Sequence, residues 1–457
     1  MSASFDISED THELNAEREA HAGTRARLKL LERTLLHFVP RDIIAFLGKT
    51  SLIDVELGDQ IEKNMSVVFT DIRDFTSLSE SMTPQQTFSM INSYLSVMNP
   101  VVSAHRGIID KYMGDAIMAL FPTTADDALA SGLSMLARLD EYNAGRERAA
   151  YAPIRIGIGI NTGVLMLGVI GGGNRMEGTV LGHTVNLASR LQTLTKTYGA
   201  PLLISEHTLY SLSEPEKFLV RHLGRVKVTY NTNAESIYEV FNHDAPMIRD
   251  AKSRSLQKFE EALALYHTRS IARAQPMLEE IVRDNPDDIP ARVYLQRCTD
   301  YLSTGLHTGS EDYTEDEASH QPDAGHNEIN NHHQDLMSLI GALRDAVINR
   351  HDAVDELIAK LKIKIEAHFD FEEQLMHTNH YPFAADHIAQ HRSYKHFFNK
   401  LSNEIQTAGC DPWYTGYRIK LFLSDWLLNH ADRDDRHLGR FLNERAALTP
   451  LPDIQQD

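Results

Sequence analysis

An acid at the end of an apolar run is the first feature of this chain that could do chemistry. Met65-Ser66-Val67-Val68-Phe69-Thr70 stops at Asp71 and gives way to Ile72-Arg73-Asp74-Phe75-Thr76. A buried strand that delivers a carboxylate to a site at its end has this pattern. Asp115 follows in Lys111-Tyr112-Met113-Gly114-Asp115, just ahead of the apolar run Ala116 to Phe121. Two such carboxylates suit divalent cations held against a nucleoside triphosphate; the plain alternative is a pair of turn-forming aspartates. Asn186 and Arg190 lie four apart in His183-Thr184-Val185-Asn186-Leu187-Ala188-Ser189-Arg190, which puts both on one face of a helix. An amide beside a guanidinium can grip a ribose and a pentavalent phosphorus.

A second group is rich in histidine. The chain has 23 histidines, and those after residue 325 cluster between His326 and His437. His368 and Glu372 are spaced i, i+4, as are His387 and His391; His430 and Asp435 are spaced i, i+5; His333 stands in the first helix of the segment. Each pair lies close to one face of its own helix, and four helices can turn these faces inward. Five imidazoles and two carboxylates suit a pair of iron ions, whereas structural zinc takes four ligands and usually cysteine. A lone histidine is more often a packing or surface residue, but three matched pairs and a fourth helix outweigh that reading. His377, His380, His396 and His437 are left without a role and read as surface residues.

The elements that must position these groups follow from periodicity. At 457 residues the chain has room for several domains, and its net charge of −19 argues against nucleic-acid binding. Two distant cysteines, Cys298 and Cys410, exclude a disulfide framework and suit a reducing cytoplasm; no apolar run spans a membrane. Residues 1–14 read as disordered and 15–50 as helical, either packing or coupling a dimer. From 51 to 244 strands and helices alternate as an α+β domain with a mostly antiparallel sheet and helices on one face. Within it, Ile154, Ile156, Ile158 and Ile160 alternate with small or polar residues, Val164–Ile170 is expected as their hairpin partner, and Gly171-Gly172-Gly173 as a turn. Residues 245–305 resemble a single tetratricopeptide-type helical hairpin, read as a spacer or docking unit. The stretch 306–325 has acids but no Lys or Arg and reads as a solvated linker. Residues 326–447 are helical throughout, and 448–457 form a tail.

The segments around Asp71 and Asp115, with Arg175-Met176-Glu177-Gly178-Thr179-Val180-Leu181-Gly182 leading into Asn186 and Arg190, occur in an order that resembles the catalytic domain of class III nucleotidyl cyclases over roughly 52–242. The resemblance implies a ferredoxin-like fold and two Mg²⁺ or Mn²⁺ ions per site on Asp71 and Asp115, with the Ile72 carbonyl assisting. It implies a purine-selecting pair, Lys111 and Thr179, of the adenylate type, and a transition-state pair, Asn186 and Arg190. Backbone amides after Ile72, around Phe75 and Thr76, are candidates to cradle the β- and γ-phosphates of ATP. The acids and the Asn/Arg pair would face each other across a head-to-tail homodimer with two equivalent sites. One departure stands out: where the family has Lys-Gly-Lys, this chain has Thr229-Tyr230-Asn231, with Arg225 or Lys227 as possible stand-ins.

The segments around His333, His368-Phe369-Asp370-Phe371-Glu372, Tyr381-Pro382 to His391, and His430 to Asp435 resemble bacterial hemerythrins over about 326–447. That resemblance implies an all-α four-helix bundle with a di-iron centre on His333, His368, Glu372, His387, His391, His430 and Asp435. It further implies bridging carboxylates and one iron open to O2. The joint expectation is an adenylate cyclase tuned by oxygen or redox state. The alternatives are an oxygen or iron carrier with an inert cyclase domain, and a scaffold built on the helical hairpin.

Overall fold

The computed structural model describes residues 41–172, 175–226, 234–305, 323–406 and 411–448, together with helical positions between 21 and 35. The expected disordered start, Thr229-Tyr230-Asn231, Lys227 and most of the acidic linker lie outside the described residues.

Eight strands form one sheet: β1 (Gln60–Ile72), β2 (Ile108–Met113), β3 (Ala116–Phe121), β4 (Ile156–Gly172), β5 (Arg175–Leu181), β6 (Leu202–Ser205), β7 (Val220–Val226) and β8 (Glu235–Val240). Their order is β2-β3-β1-β4-β6-β8-β7, with β5 paired to β4. Among the described residues only β4 and β6 pair in parallel. The helices between them are α1 (Arg41–Phe46), α2 (Phe75–Glu80), α3 (Pro84–Ala104), α4 (Ala125–Arg148), α5 (His183–Tyr198) and α6 (Glu206–Tyr210).

Two expectations about this sheet need correction. The isoleucine run does not fold back on Val164–Ile170. Residues 156–172 are one strand that pairs with β1 from Gln60–Gly168 to Ile72–Ile156. Asn161, Thr162 and Gly163 look like a turn in sequence but stay in the ladder. Thr162 Oγ1 lies 2.7 Å from Ser66 Oγ, and Ser205 Oγ donates to Asn161 Oδ1 at 2.6 Å. The true hairpin partner is β5. Nor are the helices confined to one face. Ile156, Ile158 and Ile160 face α3 and α4 in one core, while Gly157 and Gly159 admit α5 on the other side. A side chain at Gly159 would run into the backbone of Ala188 and Gln192. The alternation of isoleucine and glycine therefore encodes two covered faces, the second approached at backbone distance.

The segment expected as a spacer is part of that second face. Its helices α7 (Pro246–His267), α8 (Ile271–Asp284) and α9 (Ile289–Thr304) share a core with Leu187, Leu191, Leu203 and Ile237. A buried charge network locks it: Arg221 of β7 donates to Glu239 at 2.5 Å and to both oxygens of Asp288 at 2.8 Å, and Lys252 donates to Glu239 at 2.6 Å. Buried ions paired and hydrogen-bonded in this way fix a register, because removing any one leaves an uncompensated charge.

The remaining helices, α10 (Asn327–Ile348), α11 (Val354–Thr378), α12 (Ala384–Gln406) and α13 (412–448), form a bundle around Leu336, Ile340, Ile365, Phe369, Tyr394 and Trp426. α13 is continuous but has π-helical turns at Lys420–Asp425 and Ala431–Asp435. The bundle docks on the sheet domain. Tyr210 of α6 enters the bundle core, and α13 contacts strands β1, β7 and β8. His437, read as a surface residue, lies in this interface: its ring bonds Tyr381 Oη at 2.7 Å and Glu62 of β1 at 3.0 Å. Among the described residues no helix is long and apolar enough to cross a membrane.

Candidate functional site

β1 carries Asp71 to one edge of the sheet, and the β2–β3 turn brings Asp115 there, since β1 and β3 pair through Thr70–Ile117. Burial, then a hydrogen bond and the negative charge of Asp71, push the Asp115 carboxyl up to about 7. Asp115 Oδ2 is buried without a hydrogen-bond partner. An acid raised in this way beside a second carboxylate, with one oxygen left unpaired, fits a shared cation. Ile72 is buried behind them. Asp74 then turns the chain with φ 56°, a conformation aspartate tolerates, so that Phe75 and Thr76 open α2. Arg73, which the sequence reading left unused, ties this corner to the end of α5 by donating to Thr195 O at 2.7 Å and Ala200 O at 2.9 Å.

Lys111 of β2 reaches Thr179 of β5: its ammonium donates to Thr179 Oγ1 at 2.9 Å and to Glu177 Oε1 at 3.1 Å. Glu177 and the buried Asp110, 3.5 Å from the same ammonium, were not singled out in the sequence. Asn186 and Arg190 lie on α5 outside its buried Leu187, Leu191 and Leu194 stripe, and Asn186 is exposed. The single chain does not bring Asn186 to Asp71. Asp71 is paired with Gly157, and a side chain at Gly157 would meet Thr195 at the far end of α5. Nine residues of helix, roughly 13 Å at 1.5 Å each, separate Thr195 from Asn186. Arg225, a possible stand-in for the missing triphosphate lysine, is engaged elsewhere. It donates to Ala234 O at 2.7 Å and stands 3.2 Å from Asp425 of α13.

The second site is closed. His333, His368, Glu372, His387, His391, His430 and Asp435 are each at most 2% exposed. Their donor atoms fall into two groups, His333, His368, Glu372 and Asp435 in one and Glu372, His387, His391 and His430 in the other. Glu372 belongs to both: Oε1 lies 3.5 Å from His368 and Oε2 lies 3.2 Å from His391. Asp435 divides likewise, Oδ2 at 2.9 Å from His333 and Oδ1 at 3.1 and 3.2 Å from His387 and His430. None of these four carboxylate oxygens makes a well-formed hydrogen bond. Burial, then the charge of Asp435, hold the Glu372 carboxyl well above its usual range. Burial opposes ionisation of Asp435 too, but His430, His333 and His387 hold its carboxyl well below. His387 Nε2 and His430 Nε2 meet at 3.0 Å, but four buried carboxylate oxygens left without hydrogen bonds among five imidazoles fit residues that would hold two metal ions.

The π-turn explains how His430 and Asp435 converge. On an α-helix five residues leave two side chains about 140° apart. The π-helical Ala431–Asp435 turn winds more slowly and brings both inward. Outer partners orient the rings: His391 Nδ1 donates to Glu373 at 3.1 Å, and His430 Nδ1 donates to Gln390 at 3.2 Å. Glu373 and Gln390 were missed in sequence, although each is next to a residue that was read.

The two stretches of chain that carry these sites match two families. The adenylate and guanylate cyclase catalytic domain matches residues 58–241, and the hemerythrin HHE cation binding domain matches residues 324–442. An adenylate cyclase of Anabaena cylindrica is 38% identical over 231 residues, covering 49% of this chain and 46% of that protein. The terminal-differentiation specific adenylate cyclase of Dictyostelium discoideum is 32% identical over 299 residues, covering 64% of this chain and 14% of its own length. Among solved structures, the adenylyl cyclase CyaB from P. aeruginosa is 31% identical and covers 40% of this chain and 95% of that one, with a TM-score of 0.36. The chain thus spans less than half the length of these curated relatives. Residues 58–241 belong to the adenylate and guanylate cyclase family as a catalytic domain, and residues 324–442 belong to the hemerythrin family as a cation-binding domain in the same chain.

Proposed function

We propose that this chain converts ATP to 3′,5′-cyclic AMP and pyrophosphate at sites shared by two copies, at a rate set by the oxygen or redox state of a di-iron centre in its bundle. The observation that carries the first part is the Lys111–Thr179 hydrogen bond, which joins strands β2 and β5 in a chain that also pairs Asp71 with Asp115. A cationic donor and a hydroxyl presented together can read the edge of adenine. Asp71 and Asp115 would hold two Mg²⁺ or Mn²⁺ ions, with the Ile72 carbonyl assisting; these supply charge neutralisation and lower the pKa of the 3′-hydroxyl. The 3′ oxygen attacks the α-phosphorus as the bond to the β-phosphate oxygen breaks. Asn186 orients the ribose, and Arg190 stabilises charge on the α-phosphoryl group. The amides around Phe75 and Thr76 hold the departing phosphates. The roughly 13 Å offset of Asn186 along α5 supports a site completed by a second copy, head to tail.

In the bundle, His333 and His368 would hold one iron and His387, His391 and His430 the other, with Glu372 and Asp435 between them. The uneven split, two imidazoles against three, supports one iron with room for an exogenous ligand such as O2. The deciding experiment is cyclic AMP production by the full chain with Mg²⁺ or Mn²⁺ under controlled oxygen. Turnover that vanishes in Asp71→Asn and differs between reduced and oxidised iron supports both parts. Turnover unaffected by Asp71→Asn refutes the catalytic assignment, and equal rates in all iron states refute the regulatory one.

A further inference from the structure

α13 faces two ways. Its π-turn Ala431–Asp435 connects the ligand positions His430 and Asp435, and from the middle of that turn Arg433 reaches into the cyclase domain. Arg433 Nη1 lies 3.5 Å from both carboxylate oxygens of Glu235 on β8. Its Nη2 lies 2.6 Å from where a side chain on Gly163 would begin, so the guanidinium rests on the β4 backbone. Glu235 is 3% exposed and is met by His207 Nε2 at 3.0 Å and His183 Nδ1 at 3.6 Å. Burial disfavours the Glu235 charge, yet His207 and Arg433 hold its carboxyl down at about 2. His183 is the first residue of α5, three before Asn186. The same turn of α5 is anchored to β4, where Thr184 Oγ1 donates to Val164 O at 2.7 Å and Asn161 donates to Thr184 O at 2.9 Å. One turn earlier on α13, Asn429 donates to buried Glu206. A cavity of about 190 Å³ has both His387 of the metal cluster and His183 in its wall.

From these contacts we infer that Arg433 is a positioning residue: through Glu235 and His183 it couples the shape of the metal-binding π-turn to the first turn of α5, and so to where Asn186 stands. The inference rests on the proposed reading of Asn186 as part of a cyclase site and of His430 and Asp435 as iron ligands. Its physical basis is that a π-turn fits its ligands only while both point inward. A change in the charge or spacing that His430 and Asp435 must satisfy alters the turn between them, and Arg433 moves with it. The contact then biases the site because Arg433 on Glu235 is favoured in one iron state over another. The last link is the 3.6 Å approach of the His183 ring to Glu235, a contact without a hydrogen bond.

The test uses full-length, iron-loaded protein, reduced and oxidised, and reads amide hydrogen exchange over residues 182–190 alongside iron content and cyclic AMP production. In the unmodified chain the exchange rate of this segment changes by about threefold or more between the two states. Arg433→Met removes that difference at unchanged iron content and brings the ratio of turnover rates in the two states to about one, while Arg433→Lys retains part of both. If Arg433→Met also loses iron, Glu235→Gln decides, since it discharges the contact from the cyclase side. Equal exchange in both states of the unmodified chain, or a difference that survives Arg433→Met or Glu235→Gln, overturns the inference. A chain that makes no cyclic AMP refutes the proposed function instead, and the exchange result still decides whether the two sites are joined.

Discussion

The two carboxylate sites of this chain are built on opposite plans. Asp71 and Asp115 stand, half-buried, at strand ends of the sheet, two acids with no imidazole and with the Asp115 carboxyl pushed up to about 7 by burial and then by Asp71. Glu372 and Asp435 are sealed in a bundle among five histidines, with every donor supplied by one chain. The first arrangement suits hard, exchangeable cations that arrive with a phosphate substrate; the second suits resident ions that must be kept from water. The contrast also concerns completeness. The bundle site closes within four helices, whereas Asn186 sits too far along α5 to join Asp71 in the same chain. An open site shared as proposed would respond to how two copies are arranged, and a closed one would change state without releasing its ions.

The sharpest way to separate the sites is to discharge one and measure the other. Asp71→Asn should lower cyclic AMP production by about a thousandfold or more, because several kcal/mol of metal-supplied charge stabilisation is lost. Iron content should stay unchanged, as shown by metal analysis of the same preparation. Loss of iron in this variant would mean that the two sites are not independent folding units. The shared nature of the open site can be tested by mixing. Asp71→Asn and Asn186→Ala chains, each inactive alone, should regain activity together. Random pairing at equal amounts gives about one quarter of the unmodified rate, since half the dimers are mixed and each has one intact site of two. No recovery after subunit exchange would place the whole site in one chain.

Glu372→Ala turns the comparison around. It removes the acid common to both donor groups, so metal analysis should show iron lost or halved. Thermal unfolding should show the bundle melting about 5–10 °C lower, because imidazoles and Asp435 stay buried without cations. Cyclic AMP production should persist at an altered rate. Complete loss of turnover would mean that the bundle is needed to assemble the open site and does more than tune it.

The closed site was the more legible in sequence, and the reason is geometric. Ligands on a helix must recur at i, i+4, so His368 with Glu372 and His387 with His391 announce themselves. His430 and Asp435 at i, i+5 did so only in part, because the π-turn that aligns them has no residue signature. The open site was legible at its strand ends, where an apolar run stops at Asp71. The length of β4 was not, because Asn161-Thr162-Gly163 reads as a turn until Ser66 and Ser205 are placed beside it. What neither pattern shows is the contact between domains. Arg433 with Glu235 and His437 with Glu62 join residues far apart in the chain, with no local periodicity to mark them. His437 was set aside as a surface residue for that reason.

The smallest effect tests whether the seam between the two regions is as dry as the closed site. Glu206 lies there, accepting from Asn429 of α13. The charged groups around it are Glu235 on β8, Arg225 on β7 and Asp425 on α13. Burial, then the charge of Glu235, push its carboxyl up to about 8, against an ordinary value of 4.5. An acid with a raised folded pKa binds its proton more tightly when folded than when unfolded. Its contribution to stability is therefore greatest below the unfolded value and declines as pH rises from about 4.5 to about 8, where it levels off. Glu206→Gln keeps the shape and the bond to Asn429 but cannot ionise. The melting temperature of the variant should thus gain on that of the unmodified chain between pH 5.5 and 8.5, by about 2–5 °C in all. Other titrating groups are common to both proteins, so the difference between the two melting curves isolates Glu206. Parallel curves would mean that Glu206 titrates normally, and that water reaches the seam between a site built to stay open and one built to stay closed.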